Sequence, residues 1–278
     1  MNPPLVSVLI TAFNREKFIA DAIESALAQT LTDCEVIVVD DCSTDGTVDI
    51  IKKYASQDKR IRFYINEKNL GDYPNRNKVA SYAKGKYLKY IDSDDVMYDH
   101  CLHVMVNAIE DFPDAAFGLC SFQDPDKPLP AVVDGQQAYH EHFNGYGHFH
   151  RAPGSAIIRR EVFEKEGGFS GRPLIGDNEL WFKLANKYRM VKFVSGLYWD
   201  RNHGDQERFS SYAKKHYRKL RYDTTVKGLN DPNCPMNANE KAKTLLKIKS
   251  DFRRQQLKAS LLDFKEKFVK RKNPYDRL

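Results

Sequence analysis

Three carboxylates fall within four positions in the stretch Tyr90–Tyr98, "YIDSDDVMY": Asp92, Asp94 and Asp95. They follow an apolar run that includes Tyr87, Leu88, Tyr90 and Ile91. Like charges so close repel unless water or a cation offsets them. Oxygen ligands at the end of a strand suit a hard divalent cation such as Mg²⁺ or Mn²⁺. Mg²⁺ commonly takes one or two protein carboxylates and leaves its other positions to water and phosphates, which fits so short a motif. The competing reading is a solvated turn, or Asp94 or Asp95 capping a helix that begins near Val96. A second acidic pair, Asp40–Asp41, ends another apolar run, "CEVIVVDDCSTDGT". A carboxylate there can accept hydrogen bonds from a nucleotide base or ribose, or it can simply form a turn.

These residues need elements that bring them together. "LVSVLITAF" reads as a buried strand, with Asn14 directly after it. In "REKFIADAIESALAQT", Phe18, Ile19, Ala22, Ile23, Ala26 and Leu27 recur at helical spacing. "TVDIIKKYASQ" reads as a helix, "IRFYIN" as a strand, "NLGDYPNRNKVASYAKGK" as a loop leading into a helix, and "YLKYID" as a strand. Strands apolar on both faces alternate with helices, which predicts an α/β fold with a mostly parallel sheet flanked by helices. Such sheets bind ligands at the carboxyl ends of their strands, where Asn14, Asp41 and the aspartate trio fall.

Further along, the spacing predicts a helix over "DVMYDHCLHVMVNAIEDF" and an irregular region from Pro113 to about Gly154. A strand and short helix follow in "GSAIIRREVFEKEGGF", then a helix in "NELWFKLANKY" and a strand running into a loop in "VKFVSGLYWDRNH". The remainder is helical in character. Its apolar stripe comprises Leu245, Ile248, Phe252, Leu261, Phe264 and Phe268.

With 278 residues, 41% hydrophobic and 12% aromatic, the chain can bury a sizeable core. No apolar run approaches a membrane span. The N-terminal residues read as a strand entering a fold, without the basic start of a secretory signal. Five scattered cysteines without C-x-x-C spacing favour a reducing compartment over a zinc ribbon or a disulfide framework. The net charge of +6 is uneven: Gly204–Leu278 carries 20 Lys/Arg against 9 Asp/Glu, so residues 1–203 carry −5 and the tail +11. A basic tail suits an anionic surface such as a membrane, or is simply a solvated helical face. Nothing resembling a nucleic-acid motif accompanies it. The pairs in "HEH" (His140–His142) and "HFH" (His148–His150) lack a third ligand at metal-binding spacing.

The segments "VSVLITAFNREKFIADAIESALAQT", "CEVIVVDDCSTDGT" and "AKGKYLKYIDSDD" closely resemble the family 2 glycosyltransferases of GT-A fold. The resemblance runs from about Val6 to His203 and loosens after Asp95. It implies a Rossmann-like catalytic domain over residues 1–204, with a nucleotide-sugar and metal half (1–112) and an acceptor half (113–204). A basic helical extension then covers 205–278. It further implies a metal-dependent inverting transfer from a nucleotide-diphospho-sugar, UDP-sugar favoured, to a glycan or lipid-linked acceptor. The setting would be surface polysaccharide or glycolipid assembly at the cytoplasmic side of a bacterial membrane. An alternative is a nucleotide-binding scaffold on the same fold that has lost catalysis.

Carried over by position, Thr11, Phe13 and Asn14 follow the first strand at the nucleotide, with Phe13 in place of a more usual Tyr. Asp41 matches the aspartate that contacts the base, and Arg76 and Asn77 sit where the family lines the nucleotide pocket. Asp92 and Asp94 match the D-x-D pair and Asp95 follows it, together holding Mn²⁺ or Mg²⁺ and the donor ribose. "GDNELW" stands where the family has Glu-Asp-x-Glu-Leu, so Asp177 matches the general base and Glu179 a flanking acid, with Gly176 replacing the first Glu. "GLYWDRNHGDQERF" resembles a loop that closes over the diphosphate, which implicates Arg201 and His203, the latter also as a further metal ligand.

Overall fold

A computed structural model describes residues 3–123 and 127–272 of the protein, with side chains through Leu261. The first half alternates as the sequence suggests: β1 (Val6–Ala12), α1 (Ile19–Leu27), β2 (Cys34–Asp40), α2 (Thr47–Gln57), β3 (Ile61–Ile65), α3 (Asp72–Ala80) and β4 (Tyr87–Asp92). Then come β5 (Val96–Met97), α4 (Cys101–Glu110), β6 (Ala115–Cys120), β7 (Ala131–Val133) and α5 (Gly135–Glu141). The chain continues through β8 (Ala156–Arg159), α6 (Arg160–Lys165), α7 (Gly176–Ala185), β9 (Arg189–Phe193) and β10 (Tyr198–Trp199). Two long helices end it, α8 (Ser211–Leu229) and α9 (Ala238–Lys272).

One sheet runs β3-β2-β1-β4-β8-β6-β9-β7. Six of its strands point the same way, while β8 and β7 run against their neighbours. The fold is therefore the expected GT-A-type α/β architecture. Its interior strands are covered on both faces, which is why they read as unbroken apolar runs. Val6, Val8 and Ile10 pack with α1 and α4 on one face, while Leu9, Ile37 and Val39 pack with α3 and α7 on the other. Burying each such side chain contributes about 1.5–3 kcal/mol.

From β1 the chain moves outward to β2 and β3 on one side and then returns to β4 on the other. Ligand crevices form where strand order reverses in this way. The register puts Ala12 opposite Asp40 and Thr11 opposite Asp92, so both acidic strand ends flank the carboxyl end of β1.

Two expectations are corrected. No helix starts near Val96: Asp95 N donates to Asp92 O at 3.0 Å in a tight turn, and Val96–Met97 pair with Tyr198–Trp199. The helix begins at Cys101 with His100 before it, so neither Asp94 nor Asp95 caps it. The region from Pro113 to Gly154 is also more regular than expected, since it supplies the fully buried strand β6. That strand, "AAFGLC", has no β-branched residue, which hides its character. Its Gly118 lets the Phe193 ring lie against the backbone, where an added Cβ would come within 2.2 Å.

The tail is helical, as expected. Leu245 and Ile248 pack on the core, and Phe252 stacks on Tyr222 with ring centroids 4.2 Å apart. Leu261 is exposed instead, and the side chains of Phe264 and Phe268 lie outside the described residues. Among the described residues no helix is long and apolar enough to cross a membrane.

Candidate active site

Strand β4 delivers Asp92, and the turn after it delivers Asp94 and Asp95. Ligand oxygens of the three lie within 4.8 Å of one another, the one such cluster of acidic, His or Cys groups among the described residues. The chain's own cations partly offset the crowding. Arg76 of α3 stands 2.7 Å from Asp92, and Arg15, after β1, stands 3.3 Å from Asp94. His203 Nε2 lies 2.9 Å from the same Asp94 oxygen. Asp95 accepts from Arg201 N at 3.0 Å. Its carboxyl is nevertheless pushed up to about 8, by burial first and then by the charge of Asp92.

Arg201 and His203 both reach this corner. The Arg201 guanidinium donates to Asp94 O and Asp21 and lies between the Phe18 and Trp199 rings. The His203 ring stands 4.5 Å from that of Phe18. An all-oxygen donor set of this charge fits a hard divalent cation. Asp92 Oδ1 is buried with only the Arg76 ion pair to offset it, and Arg76 Nη1 is buried without a hydrogen-bond partner, so the cluster keeps unmet capacity for a further ligand. Asp92, Asp94 and Asp95 are the residues that would hold it.

On the β2 side, buried Asp41 is fully engaged. It accepts from Asn66 Nδ2 (2.8 Å), Leu70 N (2.8 Å) and Gly71 N (2.9 Å), which ties the 66–71 loop to the strand end. Asp40 instead accepts from Ser43 N and Oγ and so braces the turn through Cys42, which holds a φ of 68°. Asn14, at a φ of 52°, accepts from Thr44 N, and Phe13 beside it is exposed. Thr11 sits at the same edge through its register with Asp92. The Asn77 amide pairs elsewhere. Both of its ends pair with the main chain of Phe169, at 2.8 and 2.9 Å.

The third part of the site is the first turn of α7. Asp177 is buried, and its carboxyl rises to about 7, with burial the leading cause and the charge of Asp72 adding to it. Hydrogen bonds from the Tyr73 hydroxyl and Asn178 N act the other way. Ile175, not Asp177, occupies the cap position of this helix. Asp72 links the two carboxylate regions: it pairs with Arg76 at 2.7 Å, and Arg76 pairs with Asp92.

Glu179 is held differently. It accepts from Ser170 Oγ and pairs with Arg172 at 2.6 Å and Lys227 at 3.5 Å. Gly176, the departure from the family pattern, lies under Tyr73. A Cβ there would come 2.6 Å from the Tyr73 ring.

Four residues of this region escaped the sequence reading: Arg15, Asp72, Tyr73 and Glu207. Burial and the charge of Asp72 raise the Glu207 carboxyl, in the loop after β10. "NREKF" directly after a strand end was the one available signal for Arg15; the others depend on contacts between distant segments.

The His pairs form no metal cluster among the described residues. His148 pairs with Glu141, while burial and neighbouring cations keep His142 and His150 neutral, the latter at about 3.

The sequence model of glycosyl transferase family 2 matches residues 7–167, more than half of the chain. Among characterised relatives, the putative teichuronic acid biosynthesis glycosyltransferase TuaG of Bacillus subtilis is 45% identical over 92 residues, 33% of this chain and 36% of TuaG. Chondroitin synthase of Escherichia coli is 43% identical over 94 residues, 34% of this chain and 14% of that protein. The chain thus spans about a third or less of the length of these two relatives. Among solved structures, S. aureus TarS residues 1–349 in complex with UDP-GlcNAc superposes with a TM-score of 0.68 at 20% identity, covering 88% of this chain and 71% of that one. The mannosyltransferase PcManGT of Pyrobaculum calidifontis, in complex with GDP-Man and Mn²⁺, gives 0.60 at 18% identity over 91% and 70% of the two chains. At these identities the likeness is one of fold. With the family match extending from β1 past the aspartate trio, the chain belongs to glycosyl transferase family 2.

Proposed function

We propose that this protein transfers a sugar, with inversion, from a nucleotide-diphospho-sugar to an acceptor hydroxyl, assisted by Mn²⁺ or Mg²⁺ at Asp92, Asp94 and Asp95. One observation carries the reading. A buried carboxyl poised near neutrality, Asp177, stands across the Asp72–Arg76 bridge from an all-oxygen cluster at the strand edge. The acceptor hydroxyl gives its proton to the Asp177 carboxylate as its oxygen bonds the anomeric carbon. The bond from that carbon to the diphosphate breaks, and its electron pair goes to the leaving oxygen. Attack opposite the leaving group inverts the centre.

A general base of this kind contributes about 10²–10⁴-fold. The bound cation supplies charge stabilisation to the departing diphosphate. Arg15, Arg201 and His203 cluster around Asp94, where they can meet the same developing charge. Glu179, held in two ion pairs, is the positioning partner in this scheme rather than the base. At Gly176 the space is filled by Tyr73, which also bonds Asp177, and this supports reading the departure from the family's Glu as compatible with catalysis. This speaks against an inactive scaffold.

The UDP-, UDP-GlcNAc- and GDP-Man-bound neighbours support a nucleotide-sugar donor, with UDP-sugars the first choice. The names of TuaG and chondroitin synthase support a role in surface polysaccharide assembly. The proposal includes a catalytic body over 1–204 working at the cytoplasmic face of a membrane, with the basic 205–278 helices as its extension. A thermal-shift panel of UDP-, GDP- and dTDP-sugars, run with Mn²⁺ and with EDTA, tests it. Stabilisation by one nucleotide class that fades with EDTA is expected. No stabilisation by any of them would refute the donor assignment.

A further inference from the structure

Apart from the aspartate cluster, a cavity of about 660 Å³ opens between the 140–150 segment and helices α8 and α9. That volume is typical of small-ligand sites. Its lining mixes the aromatics Phe143, Tyr217, Tyr222 and Phe252, the last two stacked, with the cations Arg218, Arg221, Lys243 and Lys247.

Among the described residues none of these four cations has a carboxylate partner. Arg218 and Lys247 reach only main-chain carbonyls, Gln255 O and Phe143 O, both at 3.4 Å. Arg221 bonds the His150 ring. The cavity's acids are Glu240 and Asp251, and Asp251 is paired with Arg254 at 2.9 Å. A set that stays unpaired around a concave aromatic lining is arranged for an anion with a flat or ring-shaped body.

The cavity also adjoins the base. Tyr217 lines it, and the Asp177 charge acts on the Tyr217 phenol. Asn178, next to Asp177, donates to Phe149 O, one residue before the cavity's His150.

We infer that this cavity binds the acceptor, and that it selects an acidic saccharide whose carboxylate or phosphate groups meet Arg218, Lys243 and Lys247 while a sugar ring packs on the Tyr217 and Tyr222 faces. The inference rests on the transferase reading for the word acceptor, but the anion site stands on the cavity itself.

Calorimetric titration of the full chain tests it, with three probes: a chondroitin hexasaccharide (uronate), a glycerol-phosphate hexamer (phosphate) and chitohexaose (neutral). At least one anionic probe should bind tenfold or more tightly than chitohexaose, and which one does so identifies the oxyanion. K243A/K247A should weaken that binding at least tenfold, since hydrogen bonds from ammonium groups to an oxyanion are about twice as strong as neutral ones. Both lysines are exposed, so the double variant should fold, with circular dichroism as the control. Its UDP-GlcNAc thermal shift should match that of the unaltered chain.

Equal binding of chitohexaose, or full anion binding by K243A/K247A, would overturn the inference. So would failure of all three probes, including the case where phosphatidylglycerol vesicles bind instead and mark the face as a membrane contact. If no nucleotide sugar binds while the anionic saccharide still does, the transferase reading fails and the anion site survives.

Discussion

Asp177→Asn separates a buried base from a structural acid, because stability and activity should respond in opposite directions. The Asp177 carboxyl rises from 3.8 to about 7 on folding. About three pH units at 1.36 kcal/mol each set an upper bound of about 4 kcal/mol. Below about pH 4 the carboxyl is neutral in both folded and unfolded chains and costs nothing. As pH rises from about 4 to 7, the folded chain holds a proton that the unfolded chain has released, so stability falls. Above pH 7 the loss is constant.

Asparagine never ionises and escapes this loss. Its amide oxygen can still accept from Tyr73 and Asn178 N, but its NH₂ group adds an unmatched donor, a cost that does not vary with pH. Comparing pH 8 with pH 4 cancels that cost. After local relaxation, the variant should gain about 2 kcal/mol on the original chain over this interval, or about 4–8 °C in Tm. Transfer should fall about 10²–10⁴-fold while donor affinity stays within about threefold. In the unaltered enzyme kcat/KM should rise through about pH 7, as the base loses its proton. Scanning calorimetry at the two pH values, with donor titration and a transfer assay, reads all of this. A Tm difference that does not move with pH would refute the buried-carboxyl argument, and loss of donor binding would make Asp177 a donor ligand.

Asp94→Asn should weaken Mn²⁺ binding at least tenfold by calorimetry and release Arg15 and His203 from their shared anchor; unchanged Mn²⁺ affinity would exclude Asp94 as a ligand. Gly176→Ala should cost about 1–3 kcal/mol in urea unfolding, because its Cβ meets the Tyr73 ring. It should also shift the pH–rate inflection upward, since the Tyr73 hydroxyl stabilises the Asp177 carboxylate. Glu141→Gln should destabilise the chain by about 3 kcal/mol at pH 6, since it removes the buried partner of Lys192 and His148. Those contacts hold the Glu141 carboxyl down at about 2, so its contribution is present above about pH 4.5 and lost as pH falls toward 2. The gap between Glu141→Gln and the original chain should therefore close in acid.

What the sequence made legible follows from what each signal depends on. β1, β2 and β4 are buried on both faces, so their apolar runs and terminal acids could be read in order, and the parallel register made neighbours of Asp40, Thr11 and Asp92. β6 could not be read, because Ala, Gly and Cys fit it only through the Phe193 ring that crosses Gly118. Asp177 was legible as a motif position, but its raised carboxyl was not, since burial under Tyr73 pairs two segments about a hundred residues apart. Gly176 looked like a missing acid for the same reason: in one dimension a vacancy cannot be told from space filled by another segment. Arg15 and Asn77 make a contrasting pair. Each sits on a short polar stretch, yet Arg15 turns toward Asp94 while Asn77 turns toward Phe169, and only the crossing of helices and loops decides which.

The basic tail poses the same problem on a larger scale. Its +11 charge fits either a solvated face or a binding face, because composition does not say whether the cations have partners. The fold sorts these cations by their surroundings. Lys219 pairs with Asp223 on the same helix, an ordinary exposed bridge worth little. Arg218 and Arg221, a residue or two away, line the cavity instead and meet no carboxylate among the described residues. Lys227 reaches Glu179, and Tyr217 feels the Asp177 charge. The extension therefore shares a wall with the base. If acceptor choice is made at that seam, trimming the chain after residue 204 should remove acceptor selectivity along with stability, whereas neutralising Lys243 and Lys247 alone should remove selectivity and spare the fold.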